Sequence, residues 1–419
     1  MRILITASVM FSLLSGFLNQ YINMPGGSLT IVPIALVIVM GLIVIVKKQR
    51  IEPYTGFYVL IYLTIISLLL TAYKTGITFS AFKIFAYLFV VLIMVNTLKR
   101  STLATIYKLA IILGVVTSID IMLAGARVVQ MGIDIVNIRK YTLFDKQYLN
   151  VIYSVVIPLT ITKWLIGKRK KYLLVAIMFI ISAVFIMQIK TLILSIVIGL
   201  IIIMYGFKMM NRKLFVIALT TMTAVVIASS SLLAGFLPTQ FVTAIQYATG
   251  NMDNVAKEHL KYADTVIVRE AIVKHALEQY RENAILGVGF GNYAETTRAV
   301  DVNLAVNRQA LNKLPEVLEN GILYLLVEGG TLFAVLHFLI LGYIFVKAFR
   351  RTDPDEVYAG TYFVLLSLFI SNFVQDNNET FMYWFAIAAA VYMLKENGEA
   401  PRAERALAGS LAAVPKLAQ

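Results

Sequence analysis

The sequence predicts an all-α, polytopic integral membrane protein with about 12 transmembrane helices and one long extracytoplasmic loop that contains an amphipathic helix. Of its 419 residues, 59% are hydrophobic and 14% are charged, and the mean hydropathy is +0.81. A soluble protein of this size needs more surface charge. Runs of about 18 or more apolar residues recur along the chain, as transmembrane helices require.

The apolar runs give the order of the elements. The first run follows Met1-Arg2 directly and more runs come after it, so we interpret it as an anchor rather than a cleaved signal peptide. The predicted spans are 3–20, 29–46, 54–73, 79–98, 103–123, 148–166, 172–189, 191–207, 214–235, 321–346, 357–374 and 379–394.

Basic residues predict the orientation of these spans. They cluster in short gaps, at Lys47/Lys48/Arg50, Lys99/Arg100, Lys168–Lys171, Lys208/Arg212/Lys213 and Lys347/Arg350/Arg351. If Arg2 is cytoplasmic, every cluster falls on the cytoplasmic side, as the positive-inside rule requires. Both termini are then cytoplasmic, in a multi-pass protein of the cytoplasmic (inner) membrane. This distribution explains the net charge of +14 without nucleic acid as a partner.

Two of the predicted spans, 172–189 and 191–207, flank Lys190. A single bent helix over 172–207 would place every later basic cluster on the opposite side. We therefore predict two spans, with Lys190 near the outer surface.

Composition divides the chain into four parts. Residues 1–235 form an N-terminal transmembrane bundle, 236–320 an extracytoplasmic loop, and 321–397 the C-terminal transmembrane helices. Residues 398–419 are Ala-rich and form a cytoplasmic tail, either a short helix or a disordered segment. The chain has no cysteine and three scattered histidines, so we expect no cofactor and no metal site built from these residues.

The long loop carries the first candidate residue. Apolar spacing over 262–282 predicts a helix with one face formed by Val266, Ile267, Ala271, Ile272, His275, Ala276 and Gln279. Arg269 stands among apolar residues and could bind phosphate, because a guanidinium stays charged and matches phosphate oxygens. The alternative is an interfacial helix whose Arg269 and Lys274 pair with lipid headgroups.

A glycine-rich stretch follows, with Gly287, Gly289 and Gly291 alternating before Asn292-Tyr293. No strand–helix unit surrounds it, so a dinucleotide-binding loop is a poor interpretation. The glycines fit a tight turn that returns the chain to the membrane, or a backbone that approaches an anion.

Carboxylates mark the return to the membrane. Glu319 and Asn320 stand at the mouth of the tenth predicted span, and Glu328 lies more than two turns deeper. A carboxylate in the hydrocarbon region costs about 2.5–3.5 kcal/mol, so Glu328 should face a cavity or a partner. The alternatives are a structural pair for Glu328 and a dipole-stabilising charge for Glu319. Further candidate cations on the outer side are Arg127, Arg139 and Lys190.

These motifs, in this order, resemble the O-antigen polymerase / O-antigen ligase family of bacterial membrane glycosyltransferases. The matching segments are VREAIVKHAL, NAILGVGFGNY and ENGILYLLVEGG, with weaker matches at FDKQYL and QIKT. Three positions depart from the family pattern, with Ala284 for Pro, Glu319 for the ligase His, and Lys190 for Arg. The missing histidine favours the polymerase branch over the ligase branch.

The resemblance implies a function at the outer face of the membrane. A GT-C-like glycosyltransferase would move glycan from undecaprenyl diphosphate to a lipid-linked acceptor glycan without metal, among membrane lipids and with a chain-length regulator protein as a possible partner. Arg269, supported by Arg139, Lys190 and Arg127, would neutralise the leaving diphosphate, and Glu319 or Glu328 would handle the hydroxyl proton. Asn320, Gly287, Gly289, Gly291 and Tyr293 would contact substrate. A ligase, a lipid-linked oligosaccharide flippase or other transporter, and an inactive scaffold are the alternatives; transport predicts internal repeats, and none is evident.

Overall fold

The computed structural model describes residues 1–21, 31–47, 55–74, 79–132, 138, 141–143, 146–187, 189–217, 220, 260–297, 320–351, 354–373 and 380–412. These parts of the chain are helical and contain no strand. The all-α prediction is therefore confirmed for them.

The chain order of the helices follows the apolar runs. They are α1 Arg2–Tyr21, α2 Ile31–Val46, α3 Thr55–Lys74, α4 Phe79–Thr97, α5 Arg100–Gln130, α6 Lys146–Leu165, α7 Lys171–Ile180, α8 Lys190–Gly206, α9 Leu260–Glu282, α10 Tyr293–Thr296, α11 Gly321–Ala348, α12 Glu356–Ser371 and α13 Phe381–Ala412. Eleven of the predicted spans correspond to helices in this order; most of the ninth, 214–235, lies outside the described residues. The helix at the C-terminus, predicted to leave the membrane near 394, continues without interruption to Ala412.

Membrane-spanning character is clearest in three helices. Among the described residues, the segments Arg100–Gln130, Tyr148–Leu165 and Gly321–Ala348 are long and apolar enough to cross a bilayer, and seven shorter apolar helices accompany them. The finding supports a helical membrane protein.

The centre of the bundle is formed by α6, α12 and the first half of α13. Helix α12 packs on α6, α8 and α13, while α4 packs on α13. Twelve of the 16 residues of α12 are buried, including Tyr358 and Tyr362. Because these helices are surrounded by others, their sequences are apolar on all sides rather than on one stripe.

A π-helical turn, Ile181–Ile186, follows α7, and the chain breaks again at Ile189 before α8 begins. Phe207, just after α8, packs against Phe349 and Tyr358. Lys163 and Arg169, which come before α7, contact Glu356, two residues before Tyr358. The chain thus leaves and returns to the same end of the bundle, so α7 and α8 are two separate helices rather than one bent helix.

Basic segments consequently collect at that end. Arg100 pairs with Asp355 and lies 3.8 Å from Glu396, while Arg2 donates to Thr105 at 2.6 Å. We call this the basic end of the bundle, and the end that carries residues 284–293 the loop end.

The ionisation of Asp355 makes the stability of the basic end depend on pH. It caps α12 by accepting from the Val357 and Tyr358 amides at 3.0 Å each. Burial opposes ionisation, but hydrogen bonds from Arg100 and Tyr358 and the charges of Arg100 and Arg351 outweigh it and lower the pKa of Asp355. A lowered pKa stabilises the fold above the unfolded carboxyl pKa of about 4, and this stability is lost as the pH falls through the folded value.

We therefore expect Asp355→Asn, which keeps the cap, to unfold at lower temperature than the wild type at pH 7. The difference in unfolding temperature between the two proteins should disappear as the pH falls below about 4. Thermal unfolding in detergent across this pH range measures it, and a difference that does not depend on pH would contradict the ionic explanation.

Candidate functional site

A break in α11 organises the loop end. Gly330 has φ 72° and ψ 176°, which no helical residue adopts. The tenth span, predicted as one continuous helix over 321–346, is therefore two helical segments that meet at Gly330. Such a break leaves backbone N–H and C=O groups without helical partners, and inside a membrane they must be satisfied by protein or by a water-lined cavity.

The glycine-rich segment 284–293 satisfies these groups. Val288 N–H donates to Val327 O at 2.8 Å and Gly289 N–H to Glu328 O at 3.1 Å. In return, Thr331 N–H donates to Ala284 O at 2.8 Å. The predicted turn is confirmed, and its hydrogen-bonding partner is the broken helix.

Two glycines allow the backbones to approach this closely. Gly287 and Gly330 both have φ 72°. A Cβ at Gly287 would overlap the carbonyl of Glu328, and a Cβ at Gly330 would overlap the amide of Gly287 and the carbonyl of Ile285. Both positions therefore need glycine for conformation and for space.

The carboxylate of Glu328 binds the same segment. It is 3% exposed, and its Oε2 accepts from Gly291 N–H at 2.8 Å while Oε1 lies 3.4 Å from Tyr293 N. The predicted approach of glycine amides to an anion is thus observed, with the protein's own carboxylate as that anion. Glu328 fastens the segment to α11, which is the structural role that the sequence left open.

Helix α3 adds contacts that the sequence did not predict. Phe290 N–H donates to Ser67 Oγ at 2.9 Å, and Thr71 Oγ1 donates to Phe290 O at 3.1 Å. Ser67 and Thr71 lie one turn apart inside an ordinary apolar run, and their only signal is that they share a helix face. The Phe290 ring packs edge-on against Phe333 of α11 at 5.0 Å.

Tyr293 links the segment to α9. Its hydroxyl donates to Ile272 O at 3.4 Å, and its ring lies 5.8 Å from that of His275. Burial, and then the nearby charge of Glu328, raises the pKa of Tyr293. The phenol stays protonated as a buried donor, so the structure gives it a packing role at this position.

Helix α9 presents the predicted face to the bundle. Ile272 is 6% exposed and Ala276 fully buried, whereas Val273 and Leu277 are exposed. Arg269 lies three residues before buried Ile272 and four before exposed Val273, so its Cα belongs to the border between the packed and the exposed sides of the helix. The helix reaches α11 through Tyr280, whose hydroxyl hydrogen-bonds Thr331 at 2.8 Å.

Asn320 caps the first segment of α11. Its Oδ1 accepts from the Ile322 and Leu323 amides at 3.0 Å each, and its Nδ2 donates to Phe373 O at 2.8 Å. These bonds use both the oxygen and the nitrogen of the Asn320 side-chain amide. Asn320 therefore ties the start of α11 to the end of α12.

The segments that carry the other predicted cations meet beside α5. Gly125 lies against the side chains of Ile138 and Ile186. Arg127 follows Gly125 by two residues and is exposed in the last turn of α5. Lys190 is the first residue of α8. Arg139 follows Ile138 directly but, like Glu319, lies outside the described residues.

The site therefore has two parts. One part is an interlocked unit with α3, α9 and α11 that consists of Gly287, Gly289, Gly291, Tyr293 and Glu328. Arg127 in α5 and Lys190 at the start of α8 lie outside this unit. Within the described residues, no group of three or more His, Asp or Glu could hold a metal ion. The interlocked unit connects α9 to the two sides of the α11 break through Tyr293 and through the Tyr280–Thr331 hydrogen bond.

No protein-family model matches the chain, and no curated protein is significantly similar to it.

Proposed function

We propose that this protein is a membrane glycosyltransferase that polymerises an O-antigen or capsular glycan. It transfers glycan from undecaprenyl diphosphate to a lipid-linked acceptor glycan at the loop end of the bundle. The observation that carries the proposal is the docking of segment 284–293 into the α11 break, which fixes the Arg269-bearing helix over a discontinuous membrane helix. Discontinuous membrane helices are typical of sites that handle polar substrates within the bilayer.

The proposed reaction is a displacement at the anomeric carbon. The acceptor hydroxyl forms a new C–O bond, and the bond to the diphosphate breaks, with its electron pair leaving on undecaprenyl diphosphate. Arg269 neutralises the charge that develops on the leaving group, as a fixed cation does in a desolvated site. Glu319 receives the hydroxyl proton.

Purified protein with a lipid-linked repeat unit tests the proposal directly. We expect products longer than one repeat, resolved by length, and we expect them in EDTA as well. A ligase would instead require a lipid A core or protein acceptor. Absence of any longer glycan with every one of these acceptors would reject glycosyl transfer.

Transport is the second candidate, because the break at Gly330 interrupts a helix that is long and apolar enough to cross a membrane. Discontinuous membrane helices also occur in many transporters. In proteoliposomes, a transporter would move the lipid-linked repeat to the other leaflet without lengthening it. Elongation without such movement would reject transport.

Glu319→Gln separates proton transfer from helix capping. If Glu319 is the base, we expect turnover to fall about 10²–10⁴-fold with little change in substrate binding. Steady-state kinetics on purified protein measure both quantities. A variant that polymerises at the wild-type rate would make Glu319 a charge at a helix N-terminus, worth about 0.3–1 kcal/mol.

A further inference from the structure

Three loops meet at the basic end and expose their cations together. The loops are 166–171, 207–213 and 347–351. The second and third meet because the Phe207 ring lies 5.3 Å from the Phe349 ring and 6.0 Å from the Tyr358 ring. The first joins them through Arg169, which contacts Glu356, two residues before Tyr358. We call their exposed cations the basic patch: Lys168, Lys170, Lys171, Lys208, Arg212, Lys213, Lys347 and Arg350.

The acids at this site are already neutralised by other cations. Glu356 contacts Lys163 at 3.5 Å and Arg169 at 3.3 Å. Asp355 pairs with Arg100 and contacts Arg351 at 3.4 Å. Within the described part of the chain, no acidic side chain pairs with a cation of the basic patch, so the patch presents net positive charge.

The patch lies where apolar helix surface ends. Leu174, one turn after Lys171, is 70% exposed, and Val346, beside Lys347, is 57% exposed. The ammonium of Lys171 lies 5.6 Å from the Tyr172 ring, and that of Lys347 lies 5.5 Å from the Tyr343 ring. Tyrosine and lysine beside exposed aliphatic side chains are typical of the level of lipid headgroups.

Two lysines of the patch hold a backbone conformation that favours glycine. Lys168 has φ 50° and Lys208 has φ 58°, the two non-glycine residues with positive φ in the described chain. The left-handed conformation costs an L-residue about 1–2 kcal/mol relative to its usual state. Glycine adopts this conformation without that cost, so Lys168→Gly and Lys208→Gly can remove the charge without straining the backbone.

We infer that the basic patch binds the anionic headgroups of phospholipids in the leaflet at the basic end. Clustered lysine and arginine next to membrane helices attract such headgroups, at about 1 kcal/mol for each cation, or about fivefold in affinity. The apolar rim favours a lipid over a soluble phosphate, because it leaves room for acyl chains beside the cations. This binding does not depend on glycosyl transfer.

The double variant Lys168→Gly/Lys208→Gly tests the inference without weakening the fold, since glycine accepts positive φ freely. The full chain in neutral detergent is titrated with phosphatidylglycerol or phosphatidylcholine, and bound lipid is counted by native mass spectrometry. We expect the wild type to prefer phosphatidylglycerol, and the variant to lose at least about fivefold in that affinity. Added salt should reduce the preference.

The control is Arg281→Gln, which removes an exposed cation from α9 at the loop end. Its phosphatidylglycerol affinity should equal that of the wild type, and the glycine variant should unfold no earlier than the wild type without lipid. Equal wild-type affinity for both lipids, an unchanged glycine variant, or equal loss in the control would overturn the inference. So would displacement of the lipid by an equal concentration of inorganic phosphate.

Discussion

Gly330→Ala is expected to abolish glycan polymerisation and to destabilise the loop end. The added Cβ would meet the backbone of residues 285–287, and alanine is strained at φ 72° and ψ 176°. Strain of about 1–3 kcal/mol, together with hydrogen bonds worth about 1 kcal/mol each, gives a loss of about 3 kcal/mol or more. Thermal unfolding and protease protection of α9 measure it.

Gly342→Ala is the matched control, because it lies in the same helix and a Cβ there would meet no atom within 4 Å. Alanine favours a helix over glycine, so this variant should be as stable as the wild type and fully active. A Gly330→Ala protein with normal stability would show that segment 284–293 does not depend on this close approach. If the Gly330→Ala protein made normal glycan ladders, the proposed activity would not require the docking of segment 284–293.

Arg269→Ala is expected to eliminate polymer while leaving insertion into the membrane intact. Its Cα lies three residues before Ile272, whose carbonyl accepts from the Tyr293 hydroxyl of segment 284–293. Arg269→Lys should recover little activity, because lysine keeps the charge but lacks the planar fork that binds two phosphate oxygens. Product length in the lipid-linked repeat assay is the measurement.

Arg281→Ala serves as the control for Arg269→Ala. Arg281 belongs to the same helix and is exposed in its last turn, so removing it should leave the ladder unchanged. If both variants polymerise normally, α9 is an interfacial helix without a role in catalysis. If both fail, the charge of the helix matters rather than the position of Arg269.

Helix positions could be predicted from the sequence because local pattern decides them. The packed face of α9 follows the 3.6-residue spacing of Ala271, Ile272, His275 and Ala276, and burial confirms it. The out-and-back path through Lys190 followed from the basic clusters alone. The extension of α13 to Ala412 is the helical alternative that the sequence left open, since an Ala-rich polar segment shows no apolar period although its helix propensity is high.

The contacts of the candidate site could be predicted only in part. Glu328 stood out because a carboxylate in an apolar run is costly, but its partners are the amides of Gly291 and Tyr293, 37 and 35 residues away. Ser67 and Thr71 are more than 200 residues from Phe290. Pairings over such separations leave no periodic signal in a single sequence.

Composition and charge pattern by themselves predicted a helical membrane protein, the order of the described helices, and which of their loops share an end. Each of those properties depends on how a short segment partitions between water and lipid. Only the tertiary structure decided that α11 breaks at Gly330 and that segment 284–293 completes it. A broken helix in a membrane is stable only when another part of the chain supplies the missing hydrogen bonds, and that partner is chosen by packing in three dimensions.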